Sequence, residues 1–135
     1  MHDTGVAFVK MPTGDLDAAE RFYTSVFGFR VDRRISGGEG EDEHTELVLA
    51  APTGAGNAGR LLLTRYVHRP SPTPGEWVVG LTVGDMEAVI TAALEAGASI
   101  SKPVRYYPAY DMSVALITDP EGNVIELMQA GQSTS

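Results

Sequence analysis

The stretch DPEGNVIEL, residues 119–127, places one carboxylate, Glu126, among Val124, Ile125, Leu127 and Met128. A charge among apolar neighbours is costly to bury unless something compensates it. Three roles suit such a residue: metal ligand, catalytic base, or one half of an ion pair. Lys10 and Arg65, on other strand-like runs, are the cations that could form the other half. Three histidines complete the set of candidate ligands. His2 lies near a fraying end, His44 borders an acidic segment, and His68 precedes a proline-rich stretch. On a strand, His44 and Glu46 would point the same way, at i and i+2. There is no cysteine, which removes disulfides, thiolate metal sites and a cysteine nucleophile.

These residues sit in a chain of 135, enough for one domain or two small fused modules. Hydrophobic residues make up 43 % and charged residues 21 %, the balance of a soluble globular protein. The formal net charge of −8 opposes binding to nucleic acid or to anionic membranes, both of which reward clustered Lys and Arg. Much of the excess lies in SGGEGEDEH (36–44), which reads as a solvated loop. No apolar run approaches the roughly 20 residues of a membrane helix. The opening MHDTGVAFVK lacks the pattern of a signal peptide, so a cytoplasmic location is expected.

The elements that must position Glu126 follow from apolar spacing. VAFVKM (6–11) reads as a strand. Apolar residues at 16, 19, 22, 23, 26 and 27 form one helical face, with Asp15 as N-cap and Gly28 as terminator. Residues 29–35, 45–50 and 60–66 read as three strands, the last two separated by the flexible loop APTGAGNAG. RPSPTPGE (69–76) is too rich in proline for a sheet and reads as a linker. The pattern then restarts: a strand at 77–83, a helix capped by Asp85 and stopped by Gly97, and strands near 101–107, 113–118 and 123–129. A disordered AGQSTS tail is expected after them. The cap aspartates lie 85 − 15 = 70 residues apart, so the chain is an internal repeat. Each half is strand, helix, then three strands, an α+β fold of two tandem βαβββ modules. Module one spans about 5–68 and module two about 77–130 of a single domain, 1–135.

Two such modules, with DLDAAERFYTSVFGF in the first and DPEGNVIEL closing the second, resemble the vicinal oxygen chelate superfamily. That superfamily includes glyoxalase I, the bleomycin-resistance proteins, extradiol dioxygenases and methylmalonyl-CoA epimerase. The resemblance covers nearly the whole chain and implies a cupped mixed β-sheet with flanking helices. It leaves function open, because the fold hosts several unrelated activities.

Metal-using members draw one ligand from the first and one from the last strand of each module. The first-strand position, seven before the helix cap, is Phe8 (15 − 7 = 8) in one module and Val78 (85 − 7 = 78) in the other. The last-strand glutamate matches Glu126, and aligning Gly59 with Gly122 places Leu63 opposite it (63 − 59 = 126 − 122 = 4). Phe, Val and Leu donate nothing to a cation, so no metal and no other cofactor is expected.

Strand alternation then groups the lining of the implied cup. Phe8, Leu61, Leu63, Val78, Val124 and Met128 make it apolar, Gly80 leaves room, and Glu126, Lys10 and Arg65 are its charges. Tyr110, with Tyr106, Tyr107, Tyr66 and Trp77, adds aromatic surface. Two readings remain. One is a metal-free protein that binds a small, largely apolar or aromatic molecule, a drug-binding or self-resistance protein resembling the bleomycin-resistance branch. The other is a metal-independent lyase, isomerase or cyclase with Glu126 as general base, assisted by Tyr110, Asp111 or Lys10. The resemblance also implies a homodimer. Metal-dependent glyoxalase-type chemistry is the third and weakest alternative.

Overall fold

The computed structural model describes residues 2–4, 6–52, 59–70 and 72–133. The chain divides into two compact units, Met1–Pro72 and Thr73–Ser135. The first holds β1 (Phe8–Pro12), α1 (Leu16–Phe27), β2 (Arg30–Gly37), β3 (His44–Ala50) and β4 (Arg60–Tyr66). The second holds β5 (Val78–Thr82), α2 (Met86–Glu95), β6 (Ser99–Tyr107), β7 (Met112–Thr118) and β8 (Val124–Ala130). Each is a βαβββ module, and the fold class is α+β.

The sheets run β1-β4-β3-β2 and β5-β8-β7-β6. In each, the first strand pairs in parallel with the last, and the other pairings are antiparallel. A parallel pair needs a crossover between its members, and the helix with two intervening strands supplies it.

Both helices begin as their sequences dictate. The Asp15 side chain accepts from the Ala18 N–H at 3.0 Å, and Asp85 accepts from that of Ala88 at 3.1 Å. Each cap satisfies an N–H that the first turn would otherwise leave unpaired. Gly28 ends α1 at φ 75°, a left-handed backbone that costs glycine nothing. The cores sit between helix and sheet. In the first module Phe22 and Tyr23 of α1 are buried with Met11, Leu47, Leu49, Leu61 and Leu63. In the second, Met86, Ile90 and Ala93 of α2 are buried with Val79, Ala115, Ile117, Ile125 and Leu127.

Two segments differ from their sequence reading. The acidic stretch at 36–44 is mostly exposed, as a solvated segment should be, but it is not a plain loop. It continues β2 to Gly37, makes a 3-10 turn at Gly40–Asp42 and enters β3 at His44. Arg69 binds Asp42 at 2.7 Å and stacks on the Tyr66 ring at 3.9 Å, while His68 meets Glu43 at 3.2 Å. The tail is held by hydrogen bonds as far as Ser133, and its last two residues, 134–135, lie outside the described residues. β8 runs to Ala130, the Gly131 N–H donates to the Asp111 carbonyl at 2.8 Å, and the Ser133 N–H donates to Ser113 Oγ at 2.9 Å. Most of the loop read as flexible, 53–58, lies outside the described residues.

Candidate functional site

Glu126 is placed by the turn that precedes it. Asp119 accepts from the N–H groups of Glu121 and Asn123 and from Asn123 Nδ2, at 2.9, 2.8 and 3.0 Å. Gly122 takes φ 99°, and a Cβ there would meet Pro74 at 3.1 Å. This tight turn starts β8 at Val124, so that Ile125 and Leu127 go under α2 and Glu126 goes to the opposite face.

On that face Glu126 stands between Gly80 of β5 and Leu116 of β7. Val78, Val124 and Thr118 form the row on one side, and Thr82, Met128 and Val114 the row on the other. Val78 is 57 % exposed, and the β7 and β8 residues of these rows are half-buried. Gly80 leaves a gap beside the carboxylate: a Cβ there would approach the Met128 methyl at 3.2 Å. Among the described residues, no hydrogen bond or ion pair reaches the Glu126 carboxylate. The arrangement is a half-buried acid on an apolar surface, free to accept a hydrogen bond or a proton. A polar groove along α2, lined by Gly84, Asp85, Glu87, Thr91 and Ser133, takes no part in this face.

In the first module the register corrects the sequence reading. Phe8 pairs with Arg60 and Lys10 with Leu62, so the Phe8 face carries residues 60, 62, 64 and 66. Leu61 and Leu63 instead point toward α1, where they are buried with Met11 and Tyr23, and Arg65 follows them. None of these three shares a face with Phe8. The cause is one residue of turn: Val124 lies two places after Gly122, whereas Arg60 lies one place after Gly59. A slip of one residue exchanges the two faces of a strand. The counterpart of Glu126 is therefore Leu62, not Leu63.

The cations are also engaged. Lys10 Nζ lies 3.2 Å from Glu46 Oε1 and 5.8 Å from the centre of the Phe8 ring. Arg65 donates to the backbone carbonyls of Tyr66 and Arg69. Glu46, which sequence reasoning raised only beside His44, is 5 % exposed and accepts from Thr64 Oγ1 at 2.6 Å. His44 turns its Nδ1 to the Asp42 carbonyl at 2.7 Å and lies against Tyr66.

Tyr110 stands at the β6–β7 turn, 79 % exposed. Its neighbour Tyr106 donates to Asp111 at 2.7 Å. That hydrogen bond, then burial, then the Asp111 charge raise the Tyr106 phenol above its ordinary pKa.

On the resemblance drawn above, the ligand positions of metal-using members correspond to Phe8 and Leu62 in the first module and to Val78 and Glu126 in the second. Three are hydrocarbon side chains, and a divalent cation needs at least three protein donors. These residues do not fit a metal. Among the described residues, no group of three His, Asp or Glu side chains converges elsewhere.

Comparison with known proteins agrees with the topology. In sequence, the chain is 29 % identical over 130 residues to CFP32 of Mycobacterium tuberculosis, a protein that carries a glyoxylase name. The match covers 93 % of this chain but 45 % of CFP32, so the chain spans about half the length of that relative. In structure it is similar to a glyoxalase family protein of Bacillus cereus, with TM-score 0.79, 19 % identity and coverage of 98 % and 99 % of the two chains. It is also similar to the glyoxalase I of Leishmania major, with TM-score 0.72, 23 % identity and coverage of 94 % and 87 %. The model of one family matches residues 5–127, and the chain belongs to that family, the Glyoxalase/Bleomycin resistance protein/Dioxygenase superfamily.

Proposed function

We propose that this protein binds a small, largely apolar or aromatic molecule at the Glu126 face without a metal, as a drug-binding or self-resistance protein of the bleomycin-resistance type. One observation carries the reading: among the described residues the Glu126 carboxylate has no protein partner, on a face built mostly of Val78, Val124, Leu116, Val114 and Met128 with Thr82 and Thr118 at its rows' ends. Apolar surface supplies affinity, and a lone acid supplies orientation by accepting from an N–H or a cation. The net charge of −8 adds attraction for a cationic aromatic ligand. Tyr110, in the same module, adds exposed aromatic surface. A homodimer in the cytoplasm belongs to the same proposal. It is supported by the exposed apolar residues of two edge strands, Phe8 and Val9 on β1 and Val78 on β5.

The same unpaired carboxylate supports a second reading, a metal-independent lyase, isomerase or cyclase. There Glu126 removes a proton from a bound substrate. Lys10 is paired with Glu46 and Asp111 accepts from Tyr106, so that reading rests on Glu126 with Tyr110 as its assistant.

Fluorescence titration with the cationic aromatic dye proflavine tests the binding reading. Glu126→Gln is expected to weaken binding by roughly two- to fivefold at low salt, the scale of a partly exposed charge pair. Equal affinity of the two proteins would remove Glu126 from the site. Mass spectrometry of any molecule that co-purifies separates the two readings. Isomerisation conserves mass, so retention time and proton NMR spectrum are followed with it: a molecule unchanged in all three supports sequestration, and conversion that Glu126→Gln abolishes while binding persists establishes the enzyme.

A further inference from the structure

On the face of the first sheet opposite α1, Lys10 of β1 reaches across β4 to Glu46 of β3, and Thr64 of β4 binds the same carboxylate. Both contacts fall on Oε1, at 3.2 Å from Lys10 Nζ and 2.6 Å from Thr64 Oγ1. No hydrogen bond among the described residues reaches Oε2. Among the described residues the buried side-chain polar atoms that lack a partner are Trp77 Nε1 and Asn123 Oδ1, and Glu46 Oε2 is not one of them; the Glu46 side chain keeps 7 % exposure, so Oε2 retains a contact with solvent. Lys10 keeps a side-chain exposure of 36 % and offers two further N–H donors. A free acceptor and a free donor therefore stand side by side. Leu62 and Val48 flank them, and the half-exposed Phe8 ring lies beside Lys10.

We infer that Lys10, Glu46 and Thr64 form a second binding subsite, which takes a neutral ligand group bearing an N–H donor next to a carbonyl acceptor, a primary amide on an aromatic or apolar body. Charge balance selects this class. The Lys10–Glu46 pair is neutral as it stands. A carboxylate ligand on Lys10 would place a second anion beside a nearly buried one, and an ammonium on Glu46 would do the same with cations. An amide places its N–H on Oε2 and its oxygen on Lys10 and changes no charge. Phe8 then supplies a surface for the ligand's body. Thr64 acts as a positioning residue, since its hydroxyl occupies Oε1 and leaves Oε2 as the open acceptor. All these residues lie in the first module, and the subsite stands whether or not Glu126 binds anything.

The test uses three near-isosteric probes, benzamide, benzoate and benzylammonium, titrated to millimolar concentration against the full chain. Backbone amide chemical shifts of Phe8, Lys10, Glu46, Thr64 and Leu62 are followed. Benzamide is expected to shift these amides with an affinity about tenfold above either charged probe. Glu46→Gln leaves Lys10 unbalanced and should invert the order in favour of benzoate. Lys10→Met leaves Glu46 unbalanced and should favour benzylammonium. Should either variant fail to fold, the ranking in the unaltered protein decides alone. Equal affinities for the three probes, a charged probe binding more tightly than benzamide, or shifts confined to the second module would each overturn the inference.

Discussion

Thr64 Oγ1 and Glu46 Oε1 lie 2.6 Å apart, a hydrogen bond that ties β4 to β3 through two nearly inaccessible side chains. Thr64→Val keeps the shape and removes the donor, leaving Glu46 with Lys10 as its remaining partner. The expected cost is about 1–3 kcal/mol, the penalty of a buried charged group that loses a hydrogen bond. Urea unfolding measures it, and Thr64→Ser, which restores the hydroxyl, should recover most of it. A loss below a few tenths of a kcal/mol would mean that water replaces the threonine.

Gly80 holds open the space beside Glu126. Gly80→Ala brings a methyl to 3.2 Å from the Met128 methyl, the far end of a flexible side chain that can shift aside. Stability should therefore change by less than about 1 kcal/mol, whereas proflavine affinity should fall because the gap is filled. Loss of both together would identify Gly80 as a packing residue.

Gly122 carries a stricter demand. Its φ of 99° strains any residue that has a Cβ, and the 3.1 Å approach to Pro74 makes an alanine there tight as well. Gly122→Ala should cost more than about 1 kcal/mol, read as a lower midpoint in urea, and should broaden the amide signals of Glu126 and Leu127.

The Tyr106–Asp111 hydrogen bond gives a pH dependence whose sign is fixed. Tyr106 titrates higher in the folded protein than in the unfolded chain, where its pKa is 10.0. The folded state thus holds the phenolic proton more tightly. The stabilisation is full below the unfolded pKa and is lost as pH rises through the folded one. Ultraviolet titration of the five tyrosines in Asp111→Asn should show one phenol moving down toward its ordinary value. A superimposable curve would contradict the role of Asp111.

Arg69 pins the acidic turn by its bond to Asp42, its donation to the Glu41 carbonyl at 2.9 Å and its stacking on Tyr66. Arg69→Ala should speed amide exchange of residues 40–44 and lower global stability by no more than about 1 kcal/mol, because the ion pair is exposed. Unchanged exchange would show that the turn holds itself.

Much of this architecture was legible in the chain. Asp15 and Asp85 announce two helices because a cap needs a short acceptor at one position, and that local rule does not depend on the rest of the fold. The DPEGN turn announces β8 for the same reason. The faces of the first sheet were not legible. They depend on how many residues separate Gly59 from β4, and the composition of the loop says nothing about that count. Glu46 was hidden because its burial follows from Lys10 and Thr64 on two other strands, a pairing that strand register alone creates. The acidic segment is solvated as its charges suggest, but its turn was not legible, because Arg69 and His68, far along the sequence, bind two of those charges.

Chemical-shift mapping of proflavine on protein stripped with EDTA tests most directly whether a lone glutamate on an apolar face, without a metal, is the binding site. The amides of Gly80, Leu116, Val124, Glu126 and Met128 are expected to shift, with no loss of affinity relative to protein supplied with Zn, Ni, Fe or Mn. Binding that appears only when a divalent ion is added, or shifts that leave these five residues unmoved, would contradict it.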